Sequence, residues 1–128
     1  MVTDSFDYKK ARAFLAEKER EYTASCATLF EQARSDCNAI IEMIIADFSP
    51  KRVWQWGSLL SSHQFDENSD INIAVEGLVS AQQFFEMYEK AASMTNIPLD
   101  LIEIDKIGEI HREFIKKIGV IRYKQEEL

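Results

Sequence analysis

Apolar residues recur every three to four positions along the first part of the chain, at Tyr22, Cys26, Leu29, Phe30, Ala33, Cys37, Ile40, Ile41, Ile44, Ile45 and Phe48, with polar residues between them. That period predicts an amphipathic helix beginning near Tyr8. A single rod of ~40 residues would be ~60 Å long, beyond the width of a domain of this size, so the segment must either break or project. Ser35 and Asp36 are suited to cap a second helix, because their short side chains accept backbone N–H groups at a helix start. The reading is a helix over about residues 7–34, then either a break or a continuation over 36–47.

Ser49-Pro50 stops the helix, since proline lacks an N–H and biases the preceding residue away from the helical region. Arg52 to Trp56 reads as a strand, Gly57-Ser58 as a turn, and Ser61 to Ser69 as polar loop apart from Phe65. From Asp70 to Val75 polar and apolar positions alternate strictly, with Asp70, Asn72 and Ala74 on one face and Ile71, Ile73 and Val75 on the other. Ser80-Ala81-Gln82-Gln83 has the form of a capping box opening a helix through Phe84, Phe85, Tyr88, Ala91 and Ala92, which ends near Asn96-Ile97-Pro98. Leu99 to Ile104 is a third strand. Ile107 to Ile118 is a last helix with Ile110, Phe114, Ile115 and Ile118 inward, stopped by Gly119 as a left-handed cap, before a short strand Val120 to Tyr123. The fold class is α/β (α+β): a small mixed sheet of three to four strands packed with helices, with a helical extension over 1–34 and a compact domain over 35–128.

A chain of 128 residues with 46% hydrophobic and 29% charged residues can build one core. It has no apolar run of ~18 residues, so a membrane span is not expected. The net charge of −7, with the basic residues scattered, makes duplex nucleic acid a poor partner. Cys26 and Cys37 sit among apolar helix positions and make no zinc quartet, which suits buried thiols in a reducing compartment. The opening Met1-Val2-Thr3-Asp4-Ser5-Phe6-Asp7 has neither the basic start nor the apolar stretch of a secretory signal, so the expected location is cytoplasmic.

Three features carry candidate chemistry: Gly57-Ser58 after the first strand, Asp70-Ile71-Asn72 on the second, and Asp100 on the third. A Gly-Ser turn exposes backbone N–H groups that suit a triphosphate. A pair of oxygen ligands two residues apart on a strand points to one side, and a carboxylate from a neighbouring strand completes a cage for a divalent cation, typically magnesium. Each feature also has a plain reading: a tight turn at Gly57-Ser58, a loop-end cap at Asp70, a solvated strand position at Asp100. His63 lies in the polar loop near this place and His111 among charged residues of the last helix, where both read as surface; Trp54 and Trp56 read as core or interface. The charge run Lys9, Lys10, Arg12, Lys18, Glu19, Arg20, Glu21 reads as a solvated helix face.

On these residues the chain resembles the polymerase-beta-like nucleotidyltransferase superfamily, and within it the minimal single-domain branch, whose pattern is Gly-Ser, a loop, Asp-x-Asp and a later strand Asp. The likeness covers about residues 40–123, through Gly57-Ser58-Leu59-Leu60, Ser69-Asp70-Ile71-Asn72-Ile73 and Leu99-Asp100-Leu101-Ile102. It implies a nucleotidyltransferase-like fold in which Gly57 and Ser58 bind nucleotide, Asp70, Asn72 and Asp100 hold Mg2+, and Asp70 and Asp100 are catalytic. Two departures bear on activity. Asn72 stands where the family has a second Asp, and an amide brings a neutral oxygen where charge is needed, so metal affinity should be weak or lost. Leu60, Ser61 and Ser62 stand where an Arg and a Gly often supply a phosphate contact.

Two functions follow from the resemblance. One is Mg-dependent transfer of a nucleoside monophosphate from a nucleoside triphosphate to an acceptor hydroxyl. The other is a catalytically impaired nucleotide-binding or protein-binding partner, such as the antitoxin-like half of a two-component pair with a small helical protein. The long apolar face of the first helix further predicts a homodimer, because a stripe of that length exceeds what the remaining elements can cover. The alternative is a helix that breaks at Ser35 and folds back over the sheet.

Overall fold

The computed structural model describes residues 6–126. Its first element, α1, is one uninterrupted helix, Tyr8–Phe48. Asp7 caps it, accepting the Lys10 N–H at 3.0 Å, and so satisfies one of the donors left open at a helix start. Ser35 and Asp36 therefore lie inside the helix and cap nothing. Asp36 instead accepts from Gln32 Nε2 at 2.8 Å and from Thr95 Oγ1 at 2.7 Å, which ties α1 to the approach of the third strand. Continuity has a packing reason: Ala33, Cys37, Ile40, Ile41, Met43 and Ile44 form one buried face, and a break at residue 35 would divide it. α1 ends at Ser49, whose φ of 46° is left-handed, just before Pro50.

The strands are β1 (Arg52–Trp56), β2 (Ile71–Glu76), β3 (Leu99–Glu103) and β4 (Val120–Lys124), in the order β3-β2-β1-β4. β1 pairs antiparallel with β2 and β4, while β2 and β3 are parallel and joined through α2 (Ala81–Ala92), as a parallel pair requires. The predicted alternation of β2 holds. Ile71, Ile73 and Val75 join Val53 and Leu101 against Ile40 and Ile44 of α1 and Met87 and Ala91 of α2. Ala74 is buried on the other face with Trp54, Trp56, Ile104 and Ile115. Both tryptophans are thus core residues.

At the start of α2 the Ser80 hydroxyl accepts the Gln83 N–H at 3.2 Å, as a capping box requires. The reciprocal bond is displaced by one residue: Gln83 Oε1 accepts from Val79 N–H at 2.8 Å, and its Nε2 donates to the Phe48 carbonyl at 3.3 Å, joining α2 to the end of α1. The helix ends at Ala92, a few residues before Asn96.

Helix α3 (Glu109–Ile118) corrects one expectation. Of the four residues read as inward only Ile115 is buried; Ile110 is 90% exposed, Phe114 54% and Ile118 43%. Ile110, Phe114 and Ile118 form one stripe, and Ile115 lies about 100° round the helix from Phe114, so a helix resting on β1 can bury one set and not both. Gly119 is corrected too. Its φ of −77° is extended, not left-handed. Glycine is needed there for space, since a Cβ would stand 2.6 Å from the Ile115 carbonyl oxygen and 3.2 Å from that of Gln55.

A polar link anchored on one buried amide holds the sheet to α1 and was not foreseen. Gln55, 5% exposed, accepts from Arg122 Nη1, while Arg122 Nη2 donates to Asn38 Oδ1 at 2.6 Å. A buried amide without such a partner would be costly.

Candidate functional site

β1 delivers the chain into Gly57, whose φ of 92° and ψ of −165° belong to a region that only glycine occupies without strain. Ser58 then opens a single 3-10 turn, Ser58–Leu60, closed by Leu60 N–H to the Gly57 carbonyl at 3.1 Å and anchored by buried Leu59. This turn fixes the direction of the Gly57 and Ser58 backbone at the end of the strand.

The register places the other candidate residues. Asn72 pairs with Trp56 of β1 on one side and with Asp100 of β3 on the other. Neighbouring strands run about 4.8 Å apart, so the amide of Asn72 and the carboxylate of Asp100 start from adjacent backbone positions on one sheet face. Asp70 precedes β2 immediately and shares that face by the two-residue alternation. Asp70 and Asp100 are exposed and Asn72 is half-buried. The face is the one that carries Trp54, Trp56 and α3.

Asn72 also packs on the turn. A Cβ at Gly57 would lie 2.3 Å from Asn72 Nδ2 and 3.3 Å from its Cγ, so the amide occupies the space that the glycine leaves. Gly57 thereby serves two ends, the unusual φ and room for Asn72.

Among the described residues no three His, Cys, Asp or Glu side chains converge as a metal cage. The candidate donors, two carboxylates and one amide, start from neighbouring backbone positions on one sheet face. Magnesium keeps several waters and is often held by one or two carboxylates plus substrate phosphates, so this set fits one such ion at low affinity and lacks the charge for two. His63 is not at this place. It lines a cavity of about 530 Å³ beside the middle of α1, with Tyr22, Cys26, Phe30, Phe65 and Asp66. His111 is exposed on α3, as read from the sequence. A second cavity, of about 390 Å³ and mostly apolar, opens between the start of α2 and β3, lined by Leu78, Phe84, Phe85, Leu101, Ile102 and Ile107. Sequence reasoning did not find it, because its walls come from three separate segments.

No family model matches the chain, and no curated protein matches it in sequence. Solved structures do. One, of the MntA–HepT toxin–antitoxin complex, is 19% identical over 72% of this chain and 73% of its own, with a TM-score of 0.55. The chain has a nucleotidyltransferase-like fold. The tri-AMPylated Shewanella oneidensis HEPN toxin in complex with MNT antitoxin matches at 19% identity, over 73% of each chain, with a TM-score of 0.55. A toxin–antitoxin structure with AMP-PNP matches at 22%, over 69% of this chain and 73% of its own, with a TM-score of 0.55. Among the described residues no helix is long and apolar enough to cross a membrane.

Proposed function

We propose that this protein is the nucleotidyltransferase-fold member of a two-component pair with a small helical protein, and that its own Mg-dependent nucleotidyl transfer is weak or absent. The observation that carries the second half is Asn72 standing between Asp70 and Asp100 on the sheet face beside the Gly57-Ser58 turn. Support for the first half comes from the solved toxin–antitoxin structures of like fold, one of which holds a tri-AMPylated HEPN toxin.

In this reading the backbone of Gly57 and Ser58 holds the triphosphate, while Asp70, Asp100 and the Asn72 amide hold the cation. A bound magnesium ion supplies charge neutralisation on the phosphates. The acceptor oxygen attacks the α-phosphorus, the bond from that phosphorus to pyrophosphate breaks, and the acceptor proton passes to a carboxylate, the role this reading gives Asp100. With Asn72 one negative charge is missing, so cation and triphosphate are both held less firmly.

The test uses the isostere Asn72→Asp, which keeps the packing on Gly57 and restores the charge. Calorimetric titration with Mg2+ and a non-hydrolysable ATP analogue should show at least about tenfold tighter metal binding in the variant, since site charge tunes affinity. Label from α-phosphate-labelled ATP should reach a co-expressed small helical protein only weakly with the unmodified chain, and more with the variant. Robust labelling by the unmodified chain would instead establish the enzyme. Absence of any complex with the helical protein encoded beside it would remove the partnership.

A further inference from the structure

The stripe of α1 that becomes the core seam from Ala33 onward continues toward the N-terminus, past the loop residues beside Tyr22 and Cys26, with no other element among the described residues packed on it. Tyr8, Ala11, Leu15, Tyr22 and Cys26 fall within about 60° of arc on the helix. Tyr8 is 69% exposed, Leu15 63% and Tyr22 49%. Three charged residues of this helical stretch lie close to the stripe, Lys18 and Glu19 about 20° beyond its two edges and Arg12 about 40°, widening the arc to roughly 120°. The neighbouring charges are paired along the helix, Arg20 with Glu17 at 2.6 Å and Lys18 with Glu21 at 3.5 Å. Among the described residues Arg12 and Glu19 have no ion-pair partner.

We propose that this arm of α1 pairs antiparallel with the same arm of a second copy, Arg12 of each chain lying against Glu19 of the other. A two-fold axis between Leu15 and Ala16 makes both ion pairs at once and brings the two Leu15 side chains together at the centre. The pairing is self-complementary, which selects a second copy over an unrelated helix. It also runs the basic turns of Lys9, Lys10 and Arg12 along the stretch that holds Glu17, Glu19 and Glu21. The overlap covers residues 8–23, about 24 Å of helix, and ends before Leu29 and Phe30 meet the core.

A second observation fits the same register. Opposite Thr23 and Ser25 it places Tyr8 and Phe6 of the partner, whose rings form an exposed edge-to-face pair with centroids 4.9 Å apart. Beside Thr23 lies the mouth of the 530 Å³ cavity lined by Tyr22, Cys26, Phe30 and Phe65. The aromatic pair of one chain thus meets a recess of the other whose lining mixes aromatic side chains with His63, Asp66 and Glu31, at both ends of the arm.

Sedimentation of the full chain at micromolar concentration should give twice the 14.8 kDa chain mass. Arg12→Glu and Glu19→Arg should each raise the dimer dissociation constant at least about tenfold, because each creates two like-charge contacts. Far-UV circular dichroism monitors whether α1 is retained. An equimolar mixture of the two variants should regain the dimer, since opposite charges face each other again, and Arg20→Ala, off the stripe, should leave it intact. A monomeric unmodified chain, a mixture that stays monomeric with α1 intact, or self-association seen only after a helical partner protein is added would each overturn the pairing.

Discussion

Replacing Gly57 by alanine should cost about 1.5–4.5 kcal/mol of stability, in two separable parts. The first is backbone: φ 92° with ψ −165° lies where a residue with a Cβ is strained, at about 1–3 kcal/mol. The second is the Asn72 amide, whose Nδ2 would stand 2.3 Å from the new methyl and must leave its rotamer, at about 0.5–1.5 kcal/mol. An unfolding entropy of about 2.1 cal/mol/K per residue makes each kcal/mol worth roughly 4 °C in a chain of this length, so the melting temperature should fall by about 6–17 °C. Urea titration followed by circular dichroism in a double-mutant cycle with Asn72→Ala separates the parts. The alanine at 72 removes the two nearest atoms and leaves its Cβ 3.8 Å away, an ordinary contact. In that background Gly57→Ala should therefore cost less by the amide share, about 0.5–1.5 kcal/mol, and retain the backbone share. An equal cost in both backgrounds would refute the contact between Gly57 and Asn72, and a cost below about 0.5 kcal/mol would refute the strained turn.

Ile44→Ala removes a fully buried side chain between α1 and the sheet and should cost about 2–5 kcal/mol by urea titration. Ile110→Ala, at a position 90% exposed, should stay within about 0.5 kcal/mol of the unmodified chain; a large loss would mean that α3 buries the other stripe. Burial pushes the Cys37 thiol up from 9.0 to about 11, against the opposing pull of Arg122. Between those pH values the unfolded chain releases this proton and the folded one keeps it, so stability falls as pH rises, by up to about 2–3 kcal/mol. Urea midpoints at pH 8 and pH 11 should show this loss in the unmodified chain and a smaller one in Cys37→Ala; equal losses would sink the assignment.

What could be read from the residues alone divides along the reach of the interactions concerned. The two-residue alternation of β2 and the cap at Ser80 depend on neighbours within a turn or a strand, and both are in the structure where the pattern put them. The continuity of α1 past Ser35 was open, because short polar residues suit a helix start and are also tolerated inside one when something distant engages them. Thr95, far along the chain, engages Asp36. For α3 the pattern offered two apolar stripes, and the choice of Ile115 over Ile110, Phe114 and Ile118 was made by β1, which a helical period does not encode. Gly119 shows the same thing at one residue: its lack of a side chain was visible, but the reason is the approach of the Gln55 carbonyl from another strand and not a positive φ. At the candidate site the departure at Asn72 was plain in the sequence, whereas its second role was not. That role follows from the pairing of Trp56 with Asn72, which sets the amide against the next residue of β1's exit, Gly57. The loss of a carboxylate and the packing of the turn thus meet in one side chain. Asn72→Asp, which changes charge and keeps shape, therefore separates them, while Asn72→Ala alters both.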